Sequence, residues 1–208
     1  MNWLQNMNKF YQSLGVAKTS APLCTFVSIV AIIRLLSGNM AVHSDMIMWH
    51  KDETTENAAR QILNSIFATL QLSVKLEEQS RENLEMIRFW TTFAKENSEI
   101  LQHGKLMPQE PQNLYPVITA QKDGAAVTAV YSSNRVVPVS GKNHKTILIN
   151  GVKQLEIIIR TEKEAVFHLK QRDCRGRVIY EKTERLESGF HNLDITESGL
   201  LELECVEG

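Results

Sequence analysis

The spacing of apolar residues changes once along the chain, close to Gly104, and this change constrains the fold more than any other feature. Before Gly104, apolar residues recur every three or four positions, as on an amphipathic helix. After a proline-containing segment near Lys105 to Asn113, the spacing becomes two, as in strands with one buried face. The sequence therefore predicts two domains, residues 1–108 and residues 109–208.

The first domain is predicted to alternate helices with short apolar strands. Helices are expected at residues 26–38, 59–70 and 81–103, with strands between them at residues 40–45 and 70–76. Gly38 and Gly104 follow two of these helices in the position of a C-terminal cap. Such alternation is typical of parallel βαβ units, so the fold class predicted for this part is α/β.

The second domain is predicted to be all-β. Its apolar segments are short, rich in β-branched residues and separated by glycine, asparagine or charged turns. The segments are YPVITA, AAVTAVYS, KTILING, KQLEIIIRT, EAVFHLKQ, GRVIYEKT and GLLELECVE. Roughly 100 residues with this pattern are typical of an antiparallel β-sandwich.

Composition limits the classes of partner and location. With 23 basic and 24 acidic residues the net charge is -1, which gives no field that attracts nucleic acid. The most apolar window is interrupted by Arg34 before it reaches the roughly 20 residues that a membrane span needs. Three widely spaced cysteines favour reduced thiols and a cytoplasmic location, with no zinc site. No motif for a metal or a cofactor is found, so none is expected.

One short run, HSDMIMWH, concentrates polar residues after a predicted strand and is the candidate site. A carboxylate such as Asp45 can accept hydrogen bonds from sugar hydroxyls, and the indole of Trp49 can pack against a sugar ring. His43 belongs to the same candidate substrate-binding set. A purely structural interpretation also fits the spacing: Asp45 ends the strand, Trp49 packs under the next helix, and His43 is a hydrogen-bonded core residue.

Two longer runs favour the first interpretation, RLLSGNMAVHSDMIMWHKDETTENAARQILNSIFATLQLSVKL and ENLEMIRFWTTFAKENSEILQHGKL. They resemble the C-terminal part of the melibiase-type glycoside hydrolases, family thirty-six of the α-galactosidase clan, over most of residues 33–152. The resemblance implies a partial (β/α)8 TIM barrel, comprising its last βα units, followed by a C-terminal antiparallel β-sandwich. Residues 40–45 and 70–76 would then be late barrel strands, and the helix at residues 81–103 would close the barrel.

The resemblance also implies two catalytic aspartates, and neither can be assigned in this sequence. The segment from Gly15 to Val42, where the acid/base is expected, contains no carboxylate. The expected function is therefore that of a C-terminal fragment of an α-galactosidase-like hydrolase, inactive alone. Its expected partners are an α-galactoside and either an N-terminal barrel segment or a second copy of the chain. The alternative is a noncatalytic carbohydrate-binding or accessory β-sandwich module.

Overall fold

A computed structural model describes residues 21–38, 40–44 and 46–207, and it describes side chains from residue 26 to residue 206 within these ranges. A few helices come first and a strand-rich region with two sheets follows, as the sequence predicts in outline. The helices are α1 (Ala21–Leu36), α2 (Thr55–Leu63), α3 (Arg81–Glu96) and α4 (Ser98–His103), with 3-10 turns at Leu76–Glu78 and Pro111–Asn113. No helix in the described ranges is both long and apolar enough to cross a membrane.

The strand-rich region forms one large and one small sheet. Its strands are β1 (Lys105–Gln109), β2 (Val117–Lys122), β3 (Ala125–Val130), β4 (Val136–Val139), β5 (Lys145–Asn150), β6 (Glu156–Thr161), β7 (Ala165–Arg172), β8 (Val178–Leu186), β9 (Gly189–Asp194) and β10 (Leu200–Glu207). The seven-stranded sheet has the order β1-β2-β3-β5-β10-β7-β8, and the three-stranded sheet has the order β4-β6-β9.

The sandwich differs from the predicted antiparallel arrangement because two of its strand pairs are parallel. Strand β3 pairs in parallel with β5, and β4 pairs in parallel with β6. The reason is topological, since the chain leaves the large sheet after β3 to form β4 and then returns as β5. A chain that passes through the other sheet can re-enter in the same direction as the strand it left, whereas a tight hairpin would reverse it.

Two apolar cores divide the molecule into three layers. One core lies between the two sheets and includes Val137, Ile159, Phe167 and Leu201. The other lies between the helices and the opposite face of the seven-stranded sheet, and it contains the following buried residues among others: Ile62, Phe67, Met86, Trp90, Ile118, Val127, Ile147, Ile149 and Leu200. This helical core takes residues from both sides of the predicted boundary at residue 108.

The helix predicted at residues 81–103 is interrupted, and Gly104 is not a left-handed cap. Asn97 separates α3 from α4, and its side-chain Nδ2 donates at 2.9 Å to the Phe93 carbonyl, which also accepts a hydrogen bond from its backbone amide. Gly104 has φ -70° and ψ 156°. Close packing requires glycine at this position instead, because a Cβ there would lie 2.3 Å from the Ile100 carbonyl oxygen. Gly38, with φ +60°, does have the predicted left-handed geometry.

The proline-containing segment between the two predicted domains begins with an edge strand. Residues Lys105–Gln109 form β1, which pairs with β2 on one side only. Pro108 stands opposite Ile118 in this register, and an edge strand tolerates proline because one of its sides needs no N–H donor. Helix α2 ends at Leu63, before the predicted residue 70, and it begins after Thr54, whose Oγ1 accepts from the Asn57 amide.

Candidate functional site

The candidate site lies on two extended segments that run side by side in the same direction. The segments, here called the parallel pair, are residues 42–44 with 46–47, and residues 69–73. Helix α2 lies between them in the sequence. The Thr69 amide donates to the Val42 carbonyl at 2.8 Å, and the Ser44 amide donates to the Thr69 carbonyl at 2.9 Å. The Ile47 amide donates to the Gln71 carbonyl at 2.8 Å. Among the described residues, the strands predicted at 40–45 and 70–76 are replaced by two isolated parallel bridges, His43 to Thr69 and Ile47 to Leu72, and Leu76 begins a 3-10 turn.

The side chain of Ser44 accepts a backbone hydrogen bond from the neighbouring segment. Its Oγ accepts a hydrogen bond from the Gln71 amide at 2.9 Å, and the residue is almost completely buried. A buried hydroxyl that bonds the neighbouring backbone satisfies two polar groups at once. Ser44 therefore fixes the register of the parallel pair.

Apolar residues in and beside the parallel pair differ in exposure. Val42 and Ile47 are buried in the helical core. Met40, Met46 and Met48, by contrast, are 70%, 58% and 61% exposed. A single exposed apolar side chain is normal, but several close together in the sequence can mark a contact surface.

The predicted site residues His43 and Trp49 differ in exposure. His43 is exposed, so the interpretation of His43 as a core histidine is wrong. Trp49 is half-buried just beyond the parallel pair and packs against the helical core. Asp45 lies outside the described residues. The proposed roles of these three residues in sugar binding stay a prediction.

Trp49 is held by Gln79, a contact that sequence reasoning missed. The indole Nε1 donates to Gln79 Oε1 at 2.8 Å, and Asn83 Nδ2 donates to the same oxygen at 3.3 Å. Asn83 is itself buried at the start of α3, where its amide donates to the Oγ of the helix cap Ser80 at 3.1 Å. A serine before an acidic first turn signals this helix start, but no local pattern links Gln79 to a tryptophan 30 residues away.

A small cavity of about 220 Å³ opens beside the parallel pair. Met46, Ile47 and Met48 line one side, and Phe26 and Ser65 line the other. Within the described ranges, no three or more histidine, cysteine, aspartate or glutamate side chains are grouped so that they could hold a metal ion.

No protein-family model matches the sequence, and no curated protein matches it either. The relationship to the melibiase-type hydrolases therefore stays an inference from the sequence runs quoted above.

Proposed function

We propose that the chain is a C-terminal part of an α-galactosidase-like glycoside hydrolase that acts on α-galactosides. In this proposal the residues before Gly104 are the last βα units of a (β/α)8 barrel, and the sandwich is the appended β domain. The observation that carries the proposal is the parallel pair. Two parallel segments separated by α2 and followed by α3 are the arrangement expected of consecutive barrel strands.

The exposed apolar side chains beside the parallel pair support the presence of further barrel strands. A parallel sheet normally has both faces covered, whereas here Met40 and Met48 are exposed and no third strand pairs with these segments within the described residues. An open strand edge beside an apolar surface tends to associate with another strand. Further barrel strands, in the same polypeptide or in a separate chain, would cover both.

The sugar subsite of the proposal is the region beyond the ends of the parallel pair. Side chains at the carboxyl ends of barrel strands form the functional face in this architecture. Trp49 lies just beyond the parallel pair. Its hydrogen bond to Gln79 fixes the plane of the indole, as a platform for a sugar ring requires. Asp45 and His43 would add hydrogen-bonding groups to the same subsite.

The proposed reaction is a double displacement by two carboxyl groups about 5 Å apart, one as nucleophile and one as acid/base. Neither group can be assigned within this chain, so the remaining barrel strands would supply both. This chain would contribute binding and orientation of the galactoside, and the purified chain is expected to have no turnover of its own.

An assay on an aryl α-galactoside tests this division of labour. The chain alone should release no aryl product, whereas co-expression with a chain that supplies the remaining strands of a melibiase-type barrel should produce a complex that does. Turnover by the chain alone that is lost in Asp45→Asn, but kept in the matched surface variant Asp52→Asn, would contradict the proposal. Such a result would place a catalytic carboxylate in this chain.

A noncatalytic accessory module is the second candidate function. The observation that favours it is that the sandwich has a core of its own between the two sheets, separate from the core beneath the helices. A chain of this kind would bind a carbohydrate or complement another chain without taking part in the chemistry.

A further inference from the structure

A cleft of about 370 Å³ lies between α3 and the seven-stranded sheet, away from the parallel pair. One wall is a single face of α3, where Phe89, Thr92, Phe93 and Glu96 follow each other at helical spacing. The volume is near the lower end of the range of about 300–1,000 Å³ that is usual for small-molecule sites. The cleft therefore has room for a ligand of one or two rings.

The floor of the cleft carries charges of both signs. Glu202 of β10 is flanked by cations on the two neighbouring strands, with its Oε2 2.7 Å from Lys145 Nζ and its Oε1 3.1 Å from Arg172 Nε. Arg172 Nη1 also donates to the Gly176 carbonyl at 3.1 Å, which leaves its Nη2 without a hydrogen bond among the described residues. Each of these side chains is thus held in position before any ligand arrives.

The lining is electrically balanced, and this balance indicates the class of ligand. Two cations, Lys145 and Arg172, face two carboxylates, Glu202 and Glu96, so the lining has no net charge that would select an anion or a cation. It does offer donors and acceptors close together, beside the apolar surface of Phe89. Sugar hydroxyls both donate and accept, and the C–H face of a sugar ring packs on apolar surface.

We propose that this cleft binds a neutral mono- or disaccharide. The guanidinium of Arg172 and the ammonium of Lys145 donate to sugar oxygens, and Glu202 and Glu96 accept from sugar hydroxyls. The ring packs against Phe89. This site involves none of the residues of the proposed galactoside subsite, so it goes beyond the function proposed above.

Trp90 provides a reporter for the cleft. It is buried on α3, and its ring centroid lies 4.9 Å from that of Phe89 and 5.4 Å from that of Phe93, both of which line the cleft. A ligand that packs on these rings should change the emission of Trp90. Replacing Trp3 and Trp49 by phenylalanine leaves Trp90 as the one tryptophan of the sequence and removes the signal of the other proposed subsite.

The test is a fluorescence titration of the Trp3→Phe, Trp49→Phe protein with galactose, glucose, lactose and, as an anion probe, inorganic phosphate. At least one sugar should give a saturable change in emission, and phosphate should give none. Thr92→Tyr, at an exposed position on the wall, should fill the cleft and raise the Kd at least tenfold. Lys95→Tyr introduces the same side chain at an exposed position of α3 outside the lining and should leave the Kd unchanged.

Glu96→Gln is a second variant that removes a carboxylate from an exposed position with little risk to folding, and it should raise the Kd at least threefold. The proposal is overturned if no sugar changes the emission, if Thr92→Tyr and Lys95→Tyr bind equally, or if phosphate alone gives the saturable response. Because Trp49 is absent throughout, none of these results depends on the galactosidase proposal.

Discussion

At the scale of single residues, Glu202 shows how one carboxylate is stabilised in a half-buried position. Burial by itself raises the pKa of Glu202, but hydrogen bonds from Lys145 and Arg172 outweigh that effect and hold the pKa below its ordinary value of 4.5. A carboxyl group whose pKa is lower in the folded state stabilises the fold above the unfolded-state pKa. That stability is lost as the pH falls through the lower, folded-state pKa.

Glu202→Gln is therefore expected to reduce stability in a pH-dependent way. At pH 7 the variant should unfold more easily than the wild type, because Lys145 and Arg172 lose a charged acceptor. The difference should begin to shrink as the pH falls below about 4.5, where Glu202 of the unfolded wild type takes up a proton, and should keep shrinking until the pH has passed the lower folded-state pKa. Urea unfolding across this pH range measures the effect, and Glu187→Gln, at an exposed position, is the control. A difference that stays constant with pH would contradict this account.

The residues of the candidate site could be predicted only in part from the sequence. The polar run around Trp49 was visible because it follows an apolar strand. The contact with Gln79 was not visible, because it joins residues 30 positions apart through side chains. Such a contact depends on where tertiary folding places α3, and local spacing contains no information about it.

At the scale of elements, Gly104 sets how closely the end of α4 can approach the sheet. Its backbone is extended and acceptable to other residues, so the restriction comes from space, with the Ile100 carbonyl and the Gln121 carbonyl both near the missing Cβ. Sequence reasoning found the correct glycine but assigned it the wrong reason. A glycine after a helix can be a left-handed cap or a point of close approach, and the sequence does not distinguish the two.

Gly104→Ala should destabilise the protein by about 1–3 kcal/mol, the usual cost of inserting a methyl group where there is no space. Gly141→Ala is the matched control, because the added Cβ would make an ordinary contact of 3.6 Å with Ala165. The control should change the free energy of unfolding by about 0.5 kcal/mol or less, as surface substitutions usually do. Equal effects of the two substitutions in thermal or urea unfolding would show that close approach is not the reason for Gly104.

Two of the three strands that the sequence did not predict, β4 and β9, share a physical reason. Strand β4 has four residues and contains Pro138, and β9 exposes Phe190 while burying Leu193 in an otherwise polar segment. Both strands belong to the small sheet, where pairing with β6 stabilises segments whose own preference for strand is weak. Parallel pairing was equally invisible, since it follows from the order in which the chain visits the two sheets.

At the scale of the whole molecule, several buried contacts tie the helices to the sandwich. The Tyr131 hydroxyl donates to the Leu63 carbonyl at 2.8 Å, and the Ser198 hydroxyl donates to the Glu56 carbonyl at 2.8 Å. Arg60 forms an ion pair with Glu197. Cys174, in the turn between β7 and β8, is buried in the helical core. The helices and the sandwich are therefore expected to unfold together.

The thiol of Cys174 can report this cooperativity. Burial raises the pKa of Cys174 to about 12, so at pH 8 almost no reactive thiolate is present in the folded state. In a Cys24→Ser, Cys205→Ser protein, labelling of Cys174 should follow global unfolding in urea, as measured by circular dichroism. A Cys24→Ser, Cys174→Ser protein, which keeps the half-buried Cys205, should label faster under native conditions. Rapid native labelling of Cys174 would show that the helical layer opens separately from the sandwich.

The most direct test of the galactoside proposal is a galactose titration that isolates Trp49. The Thr92→Tyr protein, in which the second cleft is filled, is compared with the Thr92→Tyr, Trp49→Phe protein by tryptophan emission. We predict a saturable change in the first protein that is absent from the second, because galactose would pack on the indole that Gln79 holds. Superimposable titrations of the two proteins would contradict a sugar subsite at the end of the parallel pair.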